Sequence, residues 1–347
     1  MTKARPFEFG GTVIEPGTRR TVDLPVSTLS DHTPVTMSVH VVHGRQPGPV
    51  LFVSAAVHGD EVIGVEIVRR LLRASPLRRM AGTLMAVPIV NTFGFLNQSR
   101  YLPDRRDLNR SFPGSAQGSL AARLAHIFMT QVVARADLGI DLHSAAIHRV
   151  NLPQIRLSPG SERLEDLGRA FGAPVIVHSK LRDGSLRMAA EEAGIDVLLY
   201  EAGEALRFDE LGARSGLSGI LRVMRRMGML GMKGVPKPRA RPVICDTSVW
   251  YRAPAGGLLR AYRTTGDLVE AGTVLGTISD PFGESEVELT ATRPGIIVGR
   301  SNMPVVNEGD ALFHVADIGK PAHAEAAMEG IAAQMDAAPL FDEDEII

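Results

Sequence analysis

Residues 49–57 read Pro-Val-Leu-Phe-Val-Ser-Ala-Ala-Val, and His-Gly-Asp-Glu follows directly at residues 58–61. The first nine residues form a nearly continuous apolar run, which is typical of a strand buried on both faces of a mostly parallel sheet. Apolar side chains then recur at helical spacing from residue 61 to residue 73, which predicts an amphipathic helix. A second apolar run at residues 83–90 predicts the next buried strand.

The alternation of strand and helix patterns continues along the chain. Residues 1–45 carry β-type patterns. Further helices are predicted at residues 119–134, 162–171, 185–193 and 209–227, and further strands at residues 136–142, 174–178 and 196–200. Strands that alternate with helices predict an α/β fold with a largely parallel central sheet.

The pattern changes near residue 234, where a segment rich in proline and arginine begins. Short β runs separated by glycine turns follow it, and no helical pattern appears until about residue 321. This spacing predicts a small all-β domain. We therefore predict a main domain at residues 1–238, a C-terminal β domain at residues 239–318 and a tail at residues 319–347 with a solvated acidic end.

The composition is that of an ordinary globular protein of 347 residues, with 44% hydrophobic and 22% charged residues. The 38 basic and 39 acidic residues give a net charge of −1, so no global positive field would attract nucleic acid or anionic lipid. The apolar runs are too short to span a bilayer, no signal-peptide pattern is present, and the single cysteine, Cys245, cannot form an internal disulfide. We therefore expect a soluble cytoplasmic protein that binds neither nucleic acid nor membrane.

Metal-type ligands follow two of the predicted strands. His58 and Glu61 follow the first buried strand, and His143 follows the strand at residues 136–142. Because sites in open α/β sheets form at the carboxyl ends of strands, we expect these side chains at one edge of the sheet. Two imidazoles and a carboxylate, with one position left for water, are typical of a catalytic zinc site. Asp141 either orients the His143 ring or contacts nearby backbone or an arginine.

Two further segments place polar side chains near this edge. Residues 100–110 contain four arginines together with Asn109. The segment is either a solvated basic loop or a pocket wall whose guanidinium groups bind carboxylates. Glu201 follows the strand at residues 196–200, where a carboxylate facing an activated water would serve as general base. Glu204 lies farther from that strand, so we favour Glu201.

Four motifs together resemble those of the succinylglutamate desuccinylase and aspartoacylase family, relatives of the zinc carboxypeptidases. The family's H-G-D/N-E, D-L-N-R, D-L-H and E-x-G motifs are matched in the chain at residues 58–61, 107–110, 141–143 and 201–203. The resemblance is strong over residues 50–210 and looser elsewhere. It implies an α/β/α sandwich like that of zinc carboxypeptidases, with a mostly parallel central sheet and a small C-terminal all-β domain.

The resemblance implies a zinc-dependent amidohydrolase. One Zn²⁺ per chain would be held by His58, Glu61 and His143, and Glu201 would act as general base. The implied reaction is hydrolysis of the amide bond of an N-acylated amino acid or a similar small amide that carries a carboxylate. Carboxypeptidase-like cleavage of a short peptide and a catalytically inactive binding module are the alternatives, and formation of a homo-oligomer stays open.

The resemblance also implies which side chains bind the substrate. Asn109 and Arg110 would bind a substrate carboxylate, and an arginine upstream of them would polarise the scissile carbonyl. Arg100 fits that role, whereas Arg106 is the competing choice and a further candidate for substrate binding. The glycine spacing of the β domain is similar to that of biotinyl and lipoyl carriers, but no lysine lies between residues 251 and 307. We therefore expect that domain to be a lid or an assembly surface.

Overall fold

A computed structural model describes residues 3–238 and 240–318 and the single residue 329. The helices in these parts of the chain are α1 (Ile63–Arg73), α2 (Thr92–Leu96), α3 (Leu120–Gln131), α4 (Glu162–Phe171), α5 (Leu186–Glu192) and α6 (Glu210–Arg226). The strands up to residue 238 are β1 (Phe7–Phe9), β2 (Thr12–Ile14), β3 (Arg19–Thr28), β4 (Pro34–His43), β5 (Gln46–Ala55), β6 (Ala81–Val87), β7 (Leu138–Ala145), β8 (Arg149–Leu157), β9 (Val175–His178) and β10 (Val197–Glu204). The strands after residue 240 are β11 (Val243–Cys245), β12 (Ser248–Arg252), β13 (Gly257–Ala261), β14 (Leu268–Val269), β15 (Val274–Ser279), β16 (Glu286–Thr290), β17 (Gly295–Ser301), β18 (Val305–Val306) and β19 (Ala311–Ala316).

The central sheet is mixed, with the strand order β3-β4-β6-β5-β7-β10-β8-β9-β11. Its centre, β6-β5-β7-β10, is parallel, whereas β4 joins β6 and β8 joins β10 in antiparallel fashion. The predicted α/β class is confirmed, but the sheet is mixed rather than mostly parallel. The reason is connection length: only residues 146–148 separate β7 from β8, which is too short for the crossover that a parallel strand requires.

Two hydrophobic cores cover the two faces of this sheet. One core packs β5, β7 and β10 against α1, α4 and α6, and the other packs the opposite face against α3 and α5. Strand β5 contributes to both, because Leu51 and Val53 lie in the first core and Phe52 lies in the second. This α/β/α layering explains why β5 reads as a continuous apolar run.

The five longer helices lie where the sequence patterns predict them, with ends shifted by three residues or fewer. Two elements were not predicted: the short helix α2 and the strand β8. The helix α1 begins at Ile63 rather than at residue 61, because residues 58–62 form a tight turn in which the Glu61 N–H donates to the His58 carbonyl at 3.1 Å.

The chain from residue 243 to residue 316 is all β, as predicted. It continues the central sheet, because β17 pairs with the first residues of β8, β19 and β12 follow, and β11 pairs with β9. A second sheet has the order β16-β15-β13-β18. The predicted tail lies outside the described residues, apart from residue 329. Within the described parts of the chain, no helix is both long enough and apolar enough to cross a membrane.

Candidate metal centre and active site

His58, Glu61 and His143 converge at the carboxyl ends of β5 and β7. Their ligand atoms all lie within 4.8 Å of one another, and all three side chains are buried. The Nδ1 atom of His58 lies 2.6 Å from Oε1 of Glu61, and the Nδ1 atom of His143 lies 2.7 Å from Oε2 of the same carboxylate. The structure therefore brings together the three side chains that the sequence singled out as metal ligands.

Close backbone packing sets the turn that carries His58 and Glu61. A Cβ atom on Gly59 would lie 1.9 Å from the carbonyl carbon of Gly94, so only glycine fits at this position. His143 is held differently, because it lies within β7, in which every residue is buried. The tight turn thus positions two of the candidate ligands, and the centre of the sheet positions the third.

A separate carboxylate contacts each imidazole on its far side. The Nε2 atom of His58 lies 3.1 Å from Oδ1 of Asp107, and the Nε2 atom of His143 lies 2.7 Å from Oδ2 of Asp141. Asp141 in turn accepts a hydrogen bond from the Ser54 hydroxyl at 2.7 Å. Metal-binding histidines commonly donate their second ring N–H to a carboxylate, which fixes the tautomer and the ring orientation. This donor set, with both Nδ1 atoms towards Glu61, fits a divalent cation such as Zn²⁺.

The buried charges of this cluster shift one another's pKa values. Burial lowers the pKa of His143, but Asp141 and Glu61 outweigh burial and raise it well above its ordinary value. Burial raises the pKa of Glu61, but His58 and His143 outweigh burial and hold it well below its usual range. The Glu61 carboxylate is therefore ionised at neutral pH, as a metal ligand must be.

A cavity of 610 Å³ lies beside the cluster. The ionisable side chains that line it, histidines aside, are the cations Arg100, Arg110, Arg149, Arg156, Lys180, Arg182 and Arg187 and the acids Glu61, Asp141, Glu201 and Asp246. Glu61 and Asp141 are tied to histidines, so the excess of positive charge faces the rest of the cavity. Such a cavity suits a ligand that carries carboxylates.

The structure separates the two arginines that compete for the carbonyl-polarising role. Arg100 lines the cavity, and its Nη1 atom lies 3.4 Å from Oε1 of Glu61, while its Nη2 atom lies 2.9 Å from Oδ2 of Asp107. Arg106 is 56% exposed, pairs with Asp104 at 3.1 Å and does not line the cavity. The loop turns the Arg106 side chain outward, so its predicted binding of substrate has no support in the structure.

Asn109 and Arg110, for which the sequence predicts contact with a substrate carboxylate, both line the cavity. The Asn109 side chain is fixed from behind, because its Oδ1 atom accepts a hydrogen bond from the backbone N–H of Leu186 at 2.9 Å. That contact links the loop to the first residue of α5. Asn109 therefore has a defined position rather than that of a residue in a solvated loop.

Glu201 lines the cavity, whereas Glu204 does not. The Oε2 atom of Glu201 accepts a hydrogen bond from Nδ2 of Asn151 at 2.6 Å. Glu204 is committed elsewhere, because its oxygens accept hydrogen bonds from the His148 N–H and from Nδ2 of Asn302. Its carboxylate ties the turn after β7 to the loop after β17.

Several residues of the site were not singled out from the sequence. Arg156 lies 3.7 Å from Glu201, and burial together with the neighbouring Arg156 lowers the pKa of Arg187 to about 10. Residues 246–248 and Trp250 supply one wall of the cavity from the C-terminal β region, where Trp250 stacks on His314 at 4.7 Å between ring centroids. The local pattern at these positions gives no signal of a site, because each acts only through contacts with distant parts of the chain.

Comparison with known proteins agrees with this geometry. A family model described as the succinylglutamate desuccinylase/aspartoacylase catalytic domain matches residues 47–227. The chain belongs to this family. The matched span includes every residue of the cluster and extends from the start of β5 to the end of α6.

Three relatives show how far the similarity extends. The N-alpha-acetyl-L-2,4-diaminobutyric acid deacetylase of Halomonas elongata is 27% identical over 312 residues, which cover 85% of this chain and 90% of that protein. The succinylglutamate desuccinylase of Burkholderia cenocepacia is 30% identical over 178 residues, which cover 46% of this chain and 50% of that protein. A crystal structure of a succinylglutamate desuccinylase/aspartoacylase from Rhodobacter sphaeroides matches with a TM-score of 0.76 at 26% identity and covers 86% of this chain and 96% of that chain. The first two relatives are, by their names, enzymes that remove acyl groups from amino acids.

Proposed function

We propose that the protein is a zinc-dependent deacylase that hydrolyses the amide bond of an N-acylated amino acid. The observation that carries this proposal is the buried cluster of His58, Glu61 and His143, in which a separate carboxylate contacts the far side of each ring. The position of the cluster beside a cationic cavity supports a small substrate that carries a carboxylate. The activities for which the relatives are named support the reaction type.

The cluster would hold one Zn²⁺, which when bound supplies Lewis acidity, lowering the pKa of a water towards about 7 and polarising the scissile carbonyl. Arg100 would donate a hydrogen bond to the carbonyl oxygen as negative charge develops there. Two hydrogen bonds to Asp107 hold the Arg100 guanidinium near the cluster before the substrate arrives. Such a preorganised donor contributes about 3–4 kcal/mol to stabilisation of the transition state.

Glu201 would accept a proton from the attacking water and pass it to the nitrogen of the leaving amine. Asn109 and Arg110 would bind the α-carboxylate of the amino acid, because both line the cavity and Asn109 is fixed by Leu186. Arg106 has no role in this proposal. The acyl group remains open between acetyl and succinyl, the two groups for which relatives are named.

The first experiment is elemental analysis of the purified chain, beside the variants His143→Ala and His126→Ala. We expect about one zinc per chain in the unmodified protein and in the His126→Ala control, whose imidazole lies on α3 away from the cluster. Zinc should be lost from His143→Ala. Absence of zinc from all three proteins, even after zinc is supplied, would refute the metal centre.

The second experiment tests the reaction with N-acetyl and N-succinyl amino acids as substrates. Glu201→Gln keeps the size of the side chain but removes its basicity, so it should retain zinc and lose turnover by about 10²-fold or more. Turnover equal to that of the unmodified protein would remove Glu201 from its proposed role. Failure of the zinc-loaded protein to hydrolyse any of these substrates would refute the deacylase proposal itself.

A further inference from the structure

We infer that Asn151 positions Glu201 for catalysis. We also infer that Gly299, in the C-terminal β region, leaves the space in which the Asn151 amide lies. The inference rests on the proposed role of Glu201 as general base, and it adds a positioning residue and a function for the appended β region. It concerns residues that lie outside the four sequence motifs.

The contact between Asn151 and Glu201 is short and largely enclosed. Nδ2 of Asn151 donates to Oε2 of Glu201 at 2.6 Å, and Asn151 is 8% exposed. The other carboxylate oxygen lies 3.7 Å from Nε of Arg156, which is beyond hydrogen-bond distance. A glutamate side chain has several rotatable bonds, and a single fixed donor therefore restricts where its free oxygen can lie. The neutral amide does this without cancelling the charge that a base needs.

Strand pairing on both sides sets the position of Asn151. In β8, Asn151 lies opposite Gly203 of β10 on one side and opposite Gly299 of β17 on the other. A Cβ atom on Gly299 would lie 2.7 Å from Oδ1 of Asn151. The absence of a side chain at Gly299 therefore leaves the room that the Asn151 amide occupies, and any larger residue would displace the amide.

The strand β17 affects the site only through its contact with Asn151. None of its residues, which are all described, lines the catalytic cavity. Gly299 itself therefore does not face the substrate, although Asn151, whose amide a larger residue would displace, does line the cavity. If a substitution at Gly299 changes turnover, the change must pass through Asn151, and an unchanged KM then distinguishes positioning of Glu201 from direct contact of the amide with the substrate.

The test compares Asn151→Ala, Gly299→Ala and the double variant, with Gly256→Ala as a matched control. Gly256 lies in the same C-terminal β region, directly before β13, and a Cβ there would meet no atom closer than 3.7 Å. For each protein, kcat and KM are measured with the best N-acyl amino acid, together with zinc content and the denaturant midpoint of unfolding. Glu201→Gln is measured in parallel.

We expect Asn151→Ala to lower kcat by about 10-fold to 100-fold, which corresponds to the loss of one hydrogen bond to a charged group, with KM and zinc content unchanged. Gly299→Ala should lower kcat in the same direction, because its methyl group pushes the end of the Asn151 side chain away. In the Asn151→Ala background, Gly299→Ala should cause no further loss, since the amide is already gone. Gly256→Ala should leave kcat unchanged.

Three outcomes would overturn the inference. The first is a normal kcat in Asn151→Ala, and the second is an equal fall of kcat from Gly299→Ala with and without the Asn151 side chain. The third is a change in KM or zinc content in place of a fall in kcat. If Asn151→Ala fails to fold, Gly299→Ala alone decides, with its kcat required to fall at unchanged KM. Active Glu201→Gln would refute the proposed general base, whereas inactive Glu201→Gln beside fully active Asn151→Ala would refute this inference alone.

Discussion

Asp141 would not touch the metal, yet its carboxylate determines how His143 is presented to it. It contacts Nε2 of His143 at 2.7 Å and is itself held by the hydroxyl of Ser54. An amide at this position has the same shape but binds the ring N–H more weakly, and it can donate instead of accept. We expect Asp141→Asn to weaken zinc binding by about 10-fold to 100-fold, measured by competition with a chromogenic chelator.

The matched control is Asp137→Asn, just before the opposite end of the same strand. The Asp137 carboxylate also accepts a hydrogen bond, from the Val50 N–H at 2.7 Å, but it is exposed and lies beyond the end of β7 that is remote from the cluster. Its amide variant should bind zinc as tightly as the unmodified protein does. Equal zinc affinity in Asp141→Asn would mean that the carboxylate does not support the ligand ring.

Residue types at strand ends suffice to predict which three side chains form the candidate metal site, because the ligand chemistry is local to each motif. The supporting contacts could not be predicted in the same way. Asp107 meets His58 across 49 residues of sequence, and Asn151 meets Glu201 across 50. Such pairings depend on sheet order, and the sequence motifs contain no information about which strands become neighbours.

At the scale of elements, β8 is the strand that the sequence pattern did not predict. Pro153 lies within it, and a proline normally argues against an interior strand, since it lacks the N–H that a ladder requires. Here the pairing with β10 is irregular: Asn151 pairs with Gly203, and Gln154 pairs with Glu201. The proline falls at this irregularity, where no ladder hydrogen bond is needed.

The same irregularity sets the course of β10 beyond Glu201. Gly203 has a φ of +69°, a conformation in which a side chain is strained. We expect Gly203→Ala to cost about 1 kcal/mol of folding free energy and to lower kcat, because the bulge that orients Glu201 is disturbed. The control is Gly194→Ala, whose φ of +78° imposes similar strain in open space. Gly194→Ala should lower the folding stability by a similar amount but leave kcat unchanged. An equal fall of kcat in both variants would contradict the prediction.

The helices α1 and α6 are joined by an ion-pair network around Arg70. Its guanidinium donates to Glu66 at 2.6 Å and to Glu210 at 2.7 Å. Hydrogen bonds from Arg69 and Arg70 lower the pKa of Glu66, and those from Arg70 lower the pKa of Glu210. Because the folded pKa values are depressed, this stabilisation is present above the ordinary glutamate pKa of about 4.3 and is lost as the pH falls through the folded values.

We therefore expect Arg70→Ala to lower the free energy of unfolding by about 0.5–1 kcal/mol at neutral pH, a modest value because the pair is partly exposed. The difference from the unmodified protein should be smaller at about pH 3 than at neutral pH. Urea unfolding at both pH values measures it. Arg73→Ala, an exposed change in the last turn of the same helix, is the control. A difference that is independent of pH would show that lost packing, not charge, explains the effect.

At the scale of the whole molecule, the C-terminal β region forms one structural unit with the candidate site. Its β-rich character could be predicted from glycine spacing, but its pairing with the central sheet could not. Residues 246–248 and Trp250 line the cavity, and β17 extends the central sheet from β8. Both features follow from long-range strand pairing, which a lid or an assembly surface would not require.

The cavity carries an excess of positive charge, although the molecule as a whole does not. The chain carries a net charge of −1, yet seven of the eleven ionisable side chains that line the cavity, histidines aside, are cationic. The attraction for anions is therefore local, and salt should screen it, since the Debye length falls from about 10 Å at 0.1 M salt to about 3 Å at 1 M.

We expect KM for an N-acyl amino acid with two or more carboxylates to rise about three- to tenfold between about 0.05 M and 0.5 M NaCl, with a smaller change in kcat. An N-acyl amino acid with one carboxylate should show a shallower rise, because fewer charge contacts are screened. Equal salt dependence for the two substrates would mean that the arginines maintain the structure of the cavity and do not attract the substrate.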